Sequence, residues 1–281
     1  MVSKHWDLGR RQLPLRRRPL VMGILNVTPD SFSDGGQNLA PQTAIEAALQ
    51  MQADGADIID IGGESTRPYS ERVPAAEELS RVMPVIEGLA GKLQIPLSID
   101  TSKAEVARAA TQAGAEIIND VSGLEGDPDM PHVAVQSGVG VCVMHMRGTP
   151  QTMQDAPEYD NVVAEIHDYL LQRRQHCQAL GIPLSRVCLD PGIGFGKTHE
   201  HNLELLRATK QFTDLNCPIL IGHSRKGFIG KVLGDQTACR TAATVGVSLA
   251  VAAAGAHVVR VHDVRETVHA LKLFEAAGGL T

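Results

Sequence analysis

The chain has 281 residues, of which 43% are hydrophobic and 21% charged, enough to bury a large core inside one α/β domain. Its formal net charge of -6 supplies no global pull toward nucleic acid or an anionic membrane, so a bound anion needs a local cationic pocket. No apolar run approaches the roughly 20 residues that a membrane-spanning helix requires.

The chain opens on a basic head, Arg10-Arg11 and Arg16-Arg17-Arg18, read as a solvated N-terminal arm over residues 1–18. The apolar stretch 20–25 that follows is too short for a signal core and lacks a small-residue cleavage site. It is therefore expected to be the first core strand of a domain covering 19–281, in a cytoplasmic protein. That run stops on Asn26, and the pattern then repeats. Run 58–61 reaches Gly62-Gly63-Glu64, 96–99 stops on Asp100, and 115–118 stops on Asn119-Asp120. Run 141–144 stops on His145, 187–189 on Asp190, 219–221 on Gly222-His223-Ser224-Arg225-Lys226, and Val258-Val259 on Arg260-Val261-His262. Unalternating apolar runs of this length suit strands covered on both faces, as in a parallel sheet.

Segments 41–53, 75–89, 103–113, 129–136, 159–180, 201–212, 240–254 and 264–276 carry Ala, Leu, Glu, Gln and Arg at helical periodicity. Gly55, Gly114, Gly138 and Gly255 follow several of them, where a left-handed residue ends a helix. Strand and helix thus alternate about eight times, which predicts a (β/α)8 TIM barrel. An open doubly wound sheet is the other candidate, but no G-x-G-x-x-G follows the first strand.

In such a barrel the strands' carboxyl ends carry the chemistry, and the polar residues that stop the runs lie there. Asp100, Asn119 and Asp190 end different strands and should converge on one cavity. Two carboxylates and an amide fit a planar heterocycle with an amino-pyrimidinone edge, although each alone could equally serve as a cap. Cations gather after the last two strands in Ser224-Arg225-Lys226 and Arg260-Val261-His262, where barrels often bind phosphate. Alternation sends Arg260 and His262 the same way. Two loops stand out. Loop 28–36 holds the lone aromatic Phe32, either a contact on a ligand or a side chain folded back onto the barrel. Loop 62–69 sets Arg67 between glycines and Pro68, placed to close over a phosphate. Cys142, Cys177, Cys188, Cys217 and Cys239 show no C-x-x-C spacing and read as reduced thiols. The histidines lack zinc spacing, so a metal should be oxygen-liganded.

Taken together, residues 23–36 (GILNVTPDSFSDGG) and 60–68 (DIGGESTRP) closely resemble two signature segments of bacterial dihydropteroate synthases. So do 118–123 (INDVSG), 144–148 (MHMRG), 190–197 (DPGIGFGK) and 224–226 (SRK), in family order from about residue 20 to the end. The resemblance implies a pterin-binding barrel that joins (7,8-dihydropterin-6-yl)methyl diphosphate to 4-aminobenzoate with Mg²⁺, as a homodimer. Carried over by position, Asp100, Asn119, Asp190, Lys226, Met144, Gly222 and Phe195 should hold the pterin. Asn26, Thr66, Arg67, Arg260 and His262 should bind the diphosphate, with Asn26 ligating the metal. Phe32, Thr66, Pro68, Phe195, Ser224 and Lys226 should form the aminobenzoate site. Asp100, Asp190, Lys226 and Arg260 are the implied catalytic set, working through charge stabilisation rather than a triad.

Three positions depart from that pattern: Tyr69, His223 and Gly227, where small, apolar or small, and serine residues respectively are usual. All three adjoin the expected aminobenzoate pocket, so they bear on affinity for that substrate and for sulfonamide analogues. A cobalamin-linked methyltransferase, a Schiff-base lyase through Lys226 and a non-catalytic pterin-binding protein are the other readings the pattern admits.

Overall fold

A computed structural model describes residues 4–28, 39–66 and 69–280. The apolar runs pair as eight parallel strands: β3 (Leu20–Asn26), β4 (Ile58–Gly62), β5 (Leu97–Asp100), β6 (Ile117–Asp120), β7 (Gly140–Met144), β8 (Val187–Asp190), β9 (Leu220–Ile221) and β10 (Val258–Val261). Each neighbours the next, and β10 returns to β3. A parallel bridge between Leu189 and Ile219 joins β8 to the run leading into β9, so the sheet closes into the expected (β/α)8 barrel.

The connecting helices form the outer ring: α1 (Leu39–Ala53), α2 (Ala75–Leu89), α3 (Ala104–Gln112), α4 (Met130–Ser137), α5 (Val162–Ala179), α6 (His199–Arg207), α7 (Thr209–Phe212), α8 (Gly227–Leu233), α9 (Thr241–Ala253) and α10 (Val264–Ala276). Two details differ from expectation. Segment 201–212 breaks into α6 and α7 at Ala208, and α8 forms although Gly227 and Gly230 depress its propensity. Burial of Phe228 and Ile229 outweighs that deficit.

The N-terminal arm needs a larger correction. Residues 4–15 carry an antiparallel hairpin of β1 (His5–Asp7) and β2 (Gln12–Pro14), and Trp6 and Leu8 are wholly buried. Arg10, Arg16 and Arg17 are exposed, as a solvated arm requires, but the two apolar side chains ahead of them belong to the barrel. Trp6 and Leu8 pack with Leu20, Met22, Ile58, Ile117, Cys142, Cys188, Leu220 and Val258, and Trp6 Nε1 donates to the Arg186 carbonyl at 3.0 Å. The hairpin therefore closes the floor, and the division at residue 18 cuts through one packed unit.

Register places the rest. Met22, Ile58, Ile117, Cys142, Cys188, Leu220 and Val258 share the floor cluster, so positions two residues further along each strand face the same interior. That parity turns Asp60, Asn119, Asp190 and Arg260 inward above the floor. Asp100 lies opposite Asn119 and Gly62 across its two neighbouring strands.

Candidate active site

The inward residues meet at the mouth formed by the strands' carboxyl ends. Arg260, from β10, donates through Nε to Asp60 Oδ2 at 2.6 Å and through Nη2 to Asp100 Oδ2 at 2.6 Å. Asn119 Nδ2 donates to the same Asp60 oxygen at 3.0 Å. Four strands are thus stitched by one guanidinium and one amide. The remaining oxygens, Asp60 Oδ1 and Asp100 Oδ1, are buried without a hydrogen-bond partner. Carboxylate oxygens left in this state are prepared acceptors for the N–H groups of an entering molecule.

Asp190 stands on β8 with Oδ1 accepting from the Gly192 backbone at 2.7 Å. A Cβ at Gly222 would lie 3.8 Å from Asp190 Oδ2 and 4.0 Å from Arg260 Cβ, so this glycine sits inside the same mouth. Met144 faces Asp190 across the β7–β8 pair and is 3% exposed. Lys226, at the start of α8, donates to the Ile193 carbonyl and lies 4.4 Å over the Phe195 ring. Asp100, Asn119, Asp190, Lys226 and Arg260, together with Met144, Gly222 and Phe195, are therefore brought together.

Burial and mutual charge set the titration of this cluster. Desolvation raises Asp100 to about 7 against the pull of Arg260, with Asp60 adding to the rise. Desolvation also raises Asp190, opposed chiefly by Lys226. Burial lowers Lys226 to about 7, although Asp190 favours its charged form. Burial disfavours the Arg260 cation too, but Asp60 and Asp100 overcome it and hold Arg260 charged. Three carboxylates against two cations give the mouth a negative balance when all are ionised, suited to a developing cation.

A second group lies beside it. Ser224 Oγ and His262 Nδ1 are 2.9 Å apart, and the His262 backbone N–H donates to the same hydroxyl at 3.2 Å. Arg225, in the left-handed region at φ 58, holds Asp263 through Nε at 3.1 Å and Nη2 at 2.5 Å, tying the β9 and β10 loops together. Asn26 ends β3, and a Cβ at Gly62 would stand 3.8 Å from both Asn26 Oδ1 and Asp100 Oδ2. Gly62 places no side chain between these two oxygens, and Asp100 Oδ2 already accepts from Arg260. Among the described residues no group of three His, Cys, Asp or Glu side chains is placed to hold a metal.

Thr66 is half-buried on the loop after β4, while Phe32, Arg67 and Pro68 lie outside the described residues. Tyr69 adopts φ 65, its backbone N–H donates to the Pro150 carbonyl at 2.9 Å, and its hydroxyl bonds Asp155 at 3.1 Å. It docks the β4 loop onto the β7 loop. His223 departs from expectation. It is fully buried, and its Nε2 meets the Thr244 carbonyl at 3.0 Å and Ser248 Oγ at 2.9 Å, on α9 and away from the mouth.

Asp60 is the principal residue that sequence reasoning did not single out as part of the site. It sits inside the run Ile58-Ile59-Asp60-Ile61 rather than at its end, and is fully buried. A charge enclosed by isoleucines at the parity of Gly62 was the available signal.

Comparison with known proteins places this geometry. Residues 22–262 match the family described as Pterin binding enzyme. Dihydropteroate synthase of Escherichia coli strain K12 is 46% identical over 258 residues, spanning 92% of this chain and 91% of the relative. A Xanthomonas albilineans dihydropteroate synthase solved with 4-aminobenzoic acid superposes with a TM-score of 0.92 at 45% identity, covering 99% of this chain and 100% of that one. The same organism's enzyme in complex with 7,8-dihydropteroate gives a TM-score of 0.86 at 40% identity, covering 99% and 100%.

Proposed function

We infer that the chain, which belongs to the dihydropteroate synthases within the pterin binding enzymes, is a transferase that joins (7,8-dihydropterin-6-yl)methyl diphosphate to 4-aminobenzoate, giving 7,8-dihydropteroate and diphosphate. The observation that carries this reading is the convergence of Asp100, Asn119, Asp190, Lys226 and Arg260 at one mouth with two buried carboxylate oxygens unsatisfied.

Asp100, Asn119, Asp190 and Lys226 hold the pterin, with Met144, Gly222 and Phe195 shaping its pocket. Their acceptors match the N–H edge of an aminopyrimidinone and their donors its carbonyl. Breaking the bond between the methylene carbon and the diphosphate oxygen leaves a cation spread into the pterin, and Asp100 and Asp190 stabilise it. Arg260, His262, Asn26, Thr66 and Arg67 are the residues assigned to the leaving group. The two carboxylates on Arg260 support its role as a fixed field beside that group. The aniline nitrogen then attacks the methylene carbon and sheds its proton to solvent or diphosphate. Neutral near pH 7, it needs placement more than a base, and Phe32, Thr66, Pro68, Phe195, Ser224 and Lys226 provide it. When bound, Mg²⁺ would draw off the diphosphate's charge, with Asn26 as its protein ligand.

The acting unit is a homodimer. Ala242, Gly246, Ala250 and Ala253 form an exposed stripe of small residues on α9, and Leu273 on the adjoining α10 is 72% exposed, which supports close packing of a second copy there. Described cysteines without disulfides, and no described helix long and apolar enough to cross a membrane, support a cytoplasmic setting. Diphosphate release from the purified chain, measured with each substrate omitted in turn, tests the reading. Release that needs both substrates is expected. Pterin binding without release would favour a non-catalytic pterin-binding protein.

A further inference from the structure

We propose that Lys197 is a positioning residue of this reaction: its single buried nitrogen fixes the loop after β8, so that the Phe195 ring and Lys226 meet at the outer half of the mouth. The proposal rests on the transferase reading above.

The loop 192–197 is held along its length by side chains from elsewhere. The Ile193 carbonyl accepts from Lys226 Nζ, that of Gly194 from Gln154 Nε2 at 2.9 Å, and that of Gly196 from the Tyr159 hydroxyl at 2.8 Å. The Phe195 carbonyl accepts from Lys197 Nζ at 2.8 Å. The same Nζ reaches His145 Nδ1 at 2.9 Å and the His145 carbonyl at 3.2 Å, which binds the loop to the end of β7. Glycine makes that approach possible. At φ 71, a Cβ on Gly192 would fall 1.9 Å from the His145 carbonyl oxygen, and at φ 66 one on Gly196 would fall 2.4 Å from that of Arg147.

Lys197 is 2% exposed, and burying an amine there is unfavourable where a methionine would fill the same stem. Its three donors therefore have a use that packing alone does not explain. The arrangement also tolerates either protonation state. An ammonium donates to all three acceptors, whereas a neutral amine donates to the two carbonyls and accepts from a His145 Nδ1–H. Burial pushes Lys197 well below its ordinary value, and burial with the nearby Lys197 charge keeps His145 neutral, so the clamp does not hinge on one charge state. Asp100 and Asn119, the strand-end pterin anchors on β5 and β6, are on strands outside this loop's bonds. The loop also touches the pterin's own Asp190, Phe195 and Lys226, but Asp100 and Asn119 still hold that ring, so a loosened loop should weaken both ligands and aminobenzoate more.

The test compares the parent chain with Lys197→Met and Lys197→Gln, using calorimetric titration of 4-aminobenzoate and of a pterin, steady-state kinetics and thermal melts. For Lys197→Met, 4-aminobenzoate affinity should fall about tenfold and its KM rise to match, while pterin affinity falls by less, about threefold. Lys197→Gln keeps two N–H donors and should recover part of the loss. Unchanged aminobenzoate affinity in the methionine variant overturns the proposal, as does a parallel loss of both ligands with a fall in melting temperature. Should the parent chain release no diphosphate, the transferase reading fails, and the two titrations still decide what Lys197 does.

Discussion

Asp100 and Lys226 approach the same pH from opposite directions, one raised and the other lowered to about 7. The folded state binds the Asp100 proton more tightly than the unfolded chain does. Its ionised form therefore costs stability, and the cost grows as pH rises from the ordinary aspartate value of 3.8 and is complete above about 7. Asp100→Asn should accordingly raise the melting temperature more at pH 8 than at pH 5, while turnover falls by about a hundredfold. Thermal melts at both pH values, paired with diphosphate release, check this, and an equal gain at both would count against it. The carboxylates that end apolar runs were legible because their position was itself the signal. Asp60 was not, since it lies within a run, and its partner Arg260 stands 200 residues away. The same distance explains why Arg260 reads from sequence as an anion binder, when in the folded chain it is first a counter-ion to two carboxylates.

Among the elements, the N-terminal hairpin differs most from its reading. Arginine pairs and triplets punctuate the first 18 residues, so patterning sees a polar arm, whereas Trp6 and Leu8 decide where the hairpin goes. Trp6 and Leu8, like Leu13 and Leu15, alternate over only three residues, too short a pattern to stand out. Trp6→Ala should destabilise the chain by about 3–5 kcal/mol, because the floor cannot collapse around the lost ring. Urea denaturation measures the loss, and both KM values should stay unchanged, since the hairpin lies at the opposite end from the mouth. A loss under about 1 kcal/mol would mean that the floor closes without it. The strands and long helices were legible because unalternating runs and helical periodicity are local properties. Helix α8 was not, because its two glycines argue against a helix that tertiary burial nonetheless forms.

For the whole molecule, barrel closure was readable from the count and order of runs, whereas the face proposed to meet a second copy was legible only as a run of small residues. Read from sequence, alanines on α9 fit burial within one chain as well as burial between two, but in the fold Ala242, Ala250 and Ala253 are exposed. Gly246 separates the cases: a Cβ there meets nothing within 4 Å, so a larger side chain leaves the chain's own packing intact. Sedimentation should show a two-chain species for the parent and a single chain for Gly246→Glu, with pterin affinity retained. A parent that sediments as a single chain would remove the dimer.

The sealed floor has one more effect. A mouth floored by packed side chains, with Trp6 beneath them, has a single doorway, so molecules queue in it. Whatever rests deepest must arrive before its partner, and anything bound above it must depart before it can. Traffic of that kind gives the two reactants an obligatory order, and an excess of the outer one, seated early, would bar the way to the inner.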